Sequence, residues 1–376
     1  MTYNVALIVL DTLREDYSKG LEKLREKGFV QYKNAIAPAP WTLPTHASIF
    51  TGLMPSEHGI HSNEEIFYKG PHELAKISRL KMHKLKYGIL NEFSRHGYTT
   101  HIITANAYIT PFYGFKADDV IYVDRHERQR WSKGVEDRPT LRQMTRLITN
   151  GQVSRAVRWI LYTINFFLNP KDKGGKFMIN YLNSQYFKKY FDKPFFLFVN
   201  IMESHEPYVR REPFIFRKCI VNTIIDGKCP RECYYIASAY PRHAEYATSI
   251  ALKIVDLLDD GNTLIVVTAD HGQGLCDPAF GHSYWLTDPL LRVPLWVKFP
   301  NGKPPPQKGK YVPLTQIPDI LRTALGENTT IGTNTAKAES FDLSYDYKFL
   351  RPMLKDEHSL SHFIEKVFTY RHVIFD

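Results

Sequence analysis

Residues 4–12 read NVALIVLDT, with six apolar side chains, Val5 to Leu10, held between Asn4 and the acid Asp11. A strand that is apolar at consecutive positions buries both faces, which marks a mostly parallel sheet covered by helices on both sides. Polar turn residues follow, then a helical stretch from Leu21 to Lys27 closed by Gly28. The same order recurs further along. A helical pattern from Leu85 to His96 ends at Gly97 and leads into the β-rich run Thr99 to Thr104. Helix Ala244 to Leu258 leads through a turn, Asp259 to Asn262, into strand Thr263 to Thr268, and Phe195 to Asn200 follows Pro194 as another apolar strand. The expected fold class is α/β, with helices on both faces of a mostly parallel sheet. Functional groups in such sheets gather beyond the carboxyl ends of the strands. Asp11, His205 and the pair Asp270 and His271 each lie just past one of these runs.

At 376 residues the chain exceeds the size at which one hydrophobic core stops growing, so a large domain over residues 1–300 and a smaller C-terminal subdomain over 301–376 are expected. An apolar share of 43% with 14% aromatics is enough for a packed core and excludes wholesale disorder. The run Val5 to Leu10 is too short for a signal peptide or a membrane span, and Ile160 to Leu168 is broken by Thr163 and Asn165. A soluble, cytoplasmic protein is expected. The net charge of +10 is concentrated between residues 125 and 190, where fourteen Lys and Arg face four Asp and Glu. Val153, Val157, Ile160, Leu161, Ile164 and Leu168 recur there at helical spacing. This basic belt reads either as a lid helix packed on its own protein or as a peripheral contact with anionic lipid. No specific nucleic-acid partner is expected. Cys219, Cys229 and Cys233 cluster at a spacing that fits no common zinc module, so a disulfide or plain thiols are expected, and Cys276 stands alone.

The segment APAPWTLPTHASIFTGLMPSEHG, residues 37–59, carries the most chemistry. Its prolines force an extended approach, and Ala47 to Thr51 can begin a helix stopped at Gly52. Thr42 then sits at or just before a helix N-terminus, where backbone N–H groups favour an anion. Alone it reads as an N-cap. Its company is Asp11, the segment ESHEPY from Glu203, the segment VTADHGQG from Val267, and FGHSYW from Phe280. Two aspartates, a histidine and an alcohol form a ligand set for one divalent cation.

Five segments in order, VALIVLDTLRED, TLPTHASIFTG with PSEHGIHSN, MESHEPY, VTADHGQG and FGHSYWLTDPLLRVPLWVKFP, resemble the alkaline-phosphatase and sulfatase superfamily in its sulfatase-like branch. A weaker match continues in PLTQIPDILRTALG. The resemblance implies that Asp11, Asp270 and His271 are metal ligands and that Thr42 is the nucleophile on the same metal. It implies that His205 and His282 touch the transferred group or its leaving oxygen, and that His46, Asn63 and Asn106 contact substrate. Departures from the pattern matter as much. Relatives that cleave sulfate esters carry Cys or Ser at the nucleophile position, to be oxidised to formylglycine, and Thr42 cannot make that aldehyde. An Arg of the family is replaced by His46, a Lys near TANAYI is missing, and Thr12 stands where many relatives use a further ligand. The expected activity is therefore metal-dependent hydrolysis of an anionic phosphate mono- or diester through a Thr42 phospho-enzyme. A phospho-group transferase acting on lipid or glycan, a sulfate-ester hydrolase and a non-catalytic anion- or membrane-binding protein are the alternatives. One cation is expected, manganese or zinc because of the imidazole, with calcium or magnesium as the harder options. A second cation on His205 and His282 is the alternative to a single metal.

Overall fold

The computed structural model describes residues 2–61, 71–85, 88–123, 128–130, 149, 171–184, 187, 194–209, 212–300, 302, 304–341, 350–354 and 356–376. Its strands are β1 (Asn4–Leu10), β2 (Val30–Gln31), β3 (Ala35–Ile36), β4 (Thr99–Thr104), β5 (Asp119–Val123), β6 (Arg128–Arg130), β7 (Phe195–Ile201) and β8 (Thr263–Ala269). Shorter pieces follow as β9 (Gly274–Leu275), β10 (Phe280–Gly281), β11 (Arg292–Val293), β12 (Leu295–Lys298), β13 (Val312–Pro313), β14 (Ala336–Ser340) and β15 (Arg371–Phe375).

The central sheet runs β2-β12-β8-β1-β7-β4-β5-β6. Its middle, β8-β1-β7-β4-β5, is parallel throughout, and the antiparallel pairings lie to either side of it, β12 with β8 and β2 on one flank and β6 with β5 on the other. Ile8 lies opposite Val199 on one side and Val267 on the other, so the apolar runs identified in the sequence stack as the core of the sheet. Every residue of β7 and β8 is buried, as is every residue of β1 after Asn4. Both faces are covered, as a continuous apolar strand requires.

Phe196 and Phe198 share one face of β7 and receive Phe93 at 5.0 Å and Phe50 at 5.0 Å between ring centroids. The helix Tyr240–Leu258 packs against β1, β7 and β8 through a stripe that includes Ala247, Ile250, Ala251, Ile254 and Leu258, the spacing of one helical face. Where one helix was expected from Leu85 to His96, the chain instead forms Pro71–Lys84 and then Ile89–Arg95. Gly88, extended at φ −63° and ψ 139°, breaks the pattern between them. Beyond residue 300, β13 runs parallel to β3 in a three-stranded sheet with β11, and β14 pairs with β15. Among the described residues no helix is long and apolar enough to cross a membrane.

Candidate active site

The ends of β1, β7 and β8 are laced together by short hydrogen bonds at the carboxyl edge of the sheet. Asp11 N donates to Ile201 O at 2.9 Å, which keeps the carboxylate on the ladder. Thr12 then takes a left-handed φ of 62°. Its amide donates to Asp270 Oδ1 at 3.0 Å and its hydroxyl donates to Ser204 O at 2.8 Å, while the Ser204 hydroxyl donates to Asp11 O at 2.6 Å. Asp270 Oδ1 also accepts the His271 amide at 2.8 Å. Asp11 Oδ2 is held by Asn106 Nδ2 at 2.8 Å and by Asn200 Nδ2 at 3.4 Å.

This lacing leaves one oxygen on each acid, Asp11 Oδ1 and Asp270 Oδ2, buried and without a hydrogen bond. Buried polar atoms are rarely left so, and two on neighbouring carboxylates call for a cation. His271 supplies the third donor. Its Nδ1 faces Gly272 O at 2.8 Å, which places the proton there and turns the Nε2 lone pair toward the acids, 3.4 Å from Asp270 Oδ2 and 4.0 Å from Asp11 Oδ1. The donor atoms of the three residues all lie within 4.8 Å of one another. Two carboxylate oxygens and an imidazole nitrogen fit a divalent cation.

Thr42 is the first residue of helix α1 (Thr42–Thr51), and its Oγ1 lies 3.4 Å from His271 Nε2. The local sequence explains the placement. Trp41 is fully extended at φ −164° and ψ 165°, and Pro44 falls in the first turn, where its missing N–H has no intrahelical partner to lose. Gly52 closes the helix in the left-handed region at φ 77°. His46 Nδ1 bonds Thr42 O at 2.8 Å and lies 3.6 Å from Asp270 Oδ2. Its Nε2 makes no hydrogen bond.

Burial governs the electrostatics. It drives His271 down to about 3, with His282 adding to the effect, and drives His46 down to about 4, so both imidazoles are neutral ligands or neutral packing groups near pH 7. Burial pushes Asp11 upward, but the imidazoles of His205, His271 and His46 outweigh it and leave the carboxyl below its ordinary value. Asp270, desolvated and facing the Asp11 charge, is held well above its ordinary value. Two adjacent buried acids with no counter-charge cannot both ionise comfortably.

A second cluster adjoins the first. The rings of His271 and His282 are 5.0 Å apart, and those of His282 and His205 are 5.2 Å apart. Glu206 Oε2 lies 3.2 Å from His205 Nδ1 and 3.7 Å from His282 Nδ1, and donor atoms of these three residues also fall within 4.8 Å of one another. Gln273 Oε1 meets His282 Nδ1 at 2.8 Å. Burial, then His205, pushes His282 down to about 3, whereas His205 is 17% exposed.

The structure thus brings Asp11, Thr42, His46, Asn106, His205, Asp270, His271 and His282 to one region. Asn106, expected at the substrate, has its amide committed to Asp11 Oδ2 and its carbonyl to the Tyr108 amide at 2.9 Å. Asn63 lies outside the described residues, as do most of the basic belt and the whole segment 153–168. Sequence reasoning missed Glu206, Asn200, Ser204 and Gln273. Glu206 stood beside His205 in the quoted segment, and Gln273 stood three residues after Asp270. Asn200 and Ser204 carried no signal, because only the pairing of β7 with β1 brings them to Asp11. Of the clustered cysteines, Cys219 and Cys233 form a disulfide, while Cys229 and Cys276 are free thiols.

The sequence pattern of the sulfatase family matches residues 4–326. No curated protein matches the chain as a sequence relative. In fold it is similar to the phosphonate monoester hydrolase of Agrobacterium radiobacter, with a TM-score of 0.57 at 14% identity over 100% of this chain and 89% of that one. It is similar to the 2-O GAG sulfatase BT1596, with a TM-score of 0.52 at 14% identity over 93% and 79%. It is also similar to the C-terminal periplasmic domain of EcEptC from Escherichia coli in complex with Zn, with a TM-score of 0.50 at 13% identity over 85% and 82%. At these identities the likeness is one of fold.

Proposed function

Because this chain belongs to the sulfatase family, whose members are metal-dependent enzymes acting on ester bonds, we propose that it hydrolyses phosphate esters through a phospho-enzyme on Thr42. The observation that carries the reading is the Thr42 hydroxyl at the start of α1, 3.4 Å from His271 Nε2 and beside two acids whose facing oxygens have no hydrogen bond. Asp11, Asp270 and His271 would hold one divalent cation, which supplies the Lewis-acid charge that lets a hydroxyl ionise near neutral pH.

In this reading Thr42 Oγ attacks phosphorus in line, forming an O–P bond as the bond to the leaving oxygen breaks. The N-terminal amides of α1 face the phosphoryl oxygens. His282 is held neutral by burial, so the proton for the leaving oxygen falls to His205, which is nearer the solvent. Water then displaces Thr42 from phosphorus. Phosphate rather than sulfate follows from the side chain itself, since threonine cannot give the aldehyde that sulfate-ester relatives use. The His205, Glu206 and His282 cluster favours a second reading in one respect, a two-cation site in which His205 is a ligand and not an acid.

The test is bound metal by elemental analysis, followed by turnover of aryl phosphate monoester, diester, phosphonate ester and sulfate ester by wild type and Thr42→Ala. The reading expects bound metal, cleavage of phosphate esters and a loss above about a hundredfold in the variant, the scale for removing a key catalytic group. Wild-type rates in Thr42→Ala would remove Thr42 as nucleophile.

A further inference from the structure

Helix α1 has Thr42 at one end and Phe50 and Thr51 at the other, about 14 Å along its axis. Phe50 and Thr51 line a cavity of about 250 Å³ there, together with residues of the helix Pro71–Lys84, of the segment 88–91 and of the turn at Gly114. That turn closes tightly on the helix. Gly114 has φ 103°, and a Cβ on it would come 2.6 Å from Met82 Cβ, so only glycine fits the wall of the cavity at this point.

The lining divides by chemistry. Phe50, Met82 and Leu90 give an apolar floor, and Phe50 is fixed in it by edge contacts with Phe115 at 5.3 Å and Phe198 at 5.0 Å between ring centroids. Arg79, His83 and Lys116 line the same cavity and are exposed to solvent. Among the described residues no acid lines it, and none of these three basic side chains makes an ion pair. Arg79 is also held in position. Its Nε donates to Ala75 O at 3.3 Å and its guanidinium lies 5.2 Å over the Phe112 ring, which leaves the outer N–H groups for a ligand.

Basic groups gathered without carboxylates attract an anion, and an apolar floor adds affinity only for a ligand with an apolar part. The volume is below the roughly 300–1,000 Å³ of sites for drug-sized ligands, so that part is short. We propose that this cavity binds a small organic anion, its charged head on Arg79 and Lys116 and its short apolar body on Phe50 and Met82, at a site separate from the Thr42 centre. Met82, unbranched and polarisable, suits a floor that adapts to the body it receives.

The test uses the full-length protein labelled with methyl-13C methionine and hexanesulfonate as the probe. Met82 lines the cavity, whereas Met202 Sδ lies 3.5 Å from Asn106 Nδ2 in the active site, so two methyl resonances distinguish the two places. Met82→Leu and Met202→Leu assign them. The expected result is a Met82 shift that saturates with a Kd below about 1 mM and does not follow Met202. Hexanol and inorganic sulfate should each bind at least about tenfold more weakly, since each lacks one half of the ligand. Lys116→Glu and Arg79→Gln should each weaken hexanesulfonate by about tenfold or more, the scale of a lost hydrogen bond to a charged group, and the other methionine resonances report that the variants fold. The proposal is overturned if Met82 does not shift or fails to saturate below about 1 mM, or if it shifts only in step with Met202. It is equally overturned if hexanol or sulfate binds as well as hexanesulfonate, or if both variants bind like wild type. None of these outcomes bears on the Thr42 chemistry.

Discussion

Replacing Asp270 with Asn removes one charge from the cluster at nearly constant shape. The Asn carbonyl keeps the hydrogen bonds from the Thr12 and His271 amides, and the new amide group occupies the position of Oδ2, which has no hydrogen bond to lose. With the facing oxygens no more than 4.8 Å apart, two ionised carboxylates repel by about 3.5 kcal/mol or more at an effective dielectric of about 20. The metal-free wild type relieves this by holding Asp270 above its ordinary value, so the folded state binds the proton more tightly than the unfolded state. That contribution to stability is fully present below the ordinary carboxylate range and is lost as pH rises toward the folded value. Metal-free wild type should therefore weaken as pH climbs from acid toward neutral. Asp270→Asn should show less of that slope and be more stable than wild type near pH 7, by a few kcal/mol, on the order of that repulsion. Saturating cation should reverse the order, since an excess of about a thousandfold over Kd adds about 4 kcal/mol to a protein that binds it. Urea unfolding between acid and neutral pH, with chelator and with manganese or zinc, measures all of this. A variant less stable than wild type in chelator near pH 7, or equally stabilised by cation, refutes the shared-cation reasoning.

Asn106→Ala deletes the amide that orients Asp11 Oδ2, and should weaken metal affinity by about 10–100-fold, measured by competition with a chelating dye. Unchanged affinity would return Asn106 to the substrate. Tyr240→Phe removes a buried hydroxyl that donates to Thr12 O at 2.6 Å and accepts from Arg14 N at 3.0 Å, and the stranded groups should cost about 1–3 kcal/mol in urea unfolding. A loss below about 0.5 kcal/mol would show that this bracing of the Asp11 loop is unimportant. Glu206→Gln separates the one- and two-cation readings. Metal content is unchanged if Asp11, Asp270 and His271 hold the only cation, and falls by one equivalent if the second cluster holds another.

Much of the sheet was legible because its strands are apolar on both faces, a pattern that helices of this length do not show. β1 and β4 occupy the expected residues, and β7 and β8 extend one residue further at their carboxyl ends. Helix boundaries were less legible. Helix α1 begins at Thr42, where a helix N-terminus was expected, and includes Thr42–His46 ahead of the expected Ala47–Thr51, because a proline in the first turn is compatible with a helix and only looks like a breaker. The acids and His271 could be placed from strand ends alone. Their supports could not, since Asn200, Ser204 and Tyr240 reach the site only through strand register and helix packing, which leave no local pattern.

The account rests on Thr42 becoming covalently attached to the group it transfers. Rapid acid quench of wild type turning over an aryl phosphate, followed by peptide mapping, addresses this directly. The predicted result is a phosphoryl group on the peptide containing Thr42, absent when the enzyme is first treated with chelator and absent in Thr42→Ala, which also loses turnover. A phosphoryl group on a different residue, or full turnover by Thr42→Ala, would contradict it.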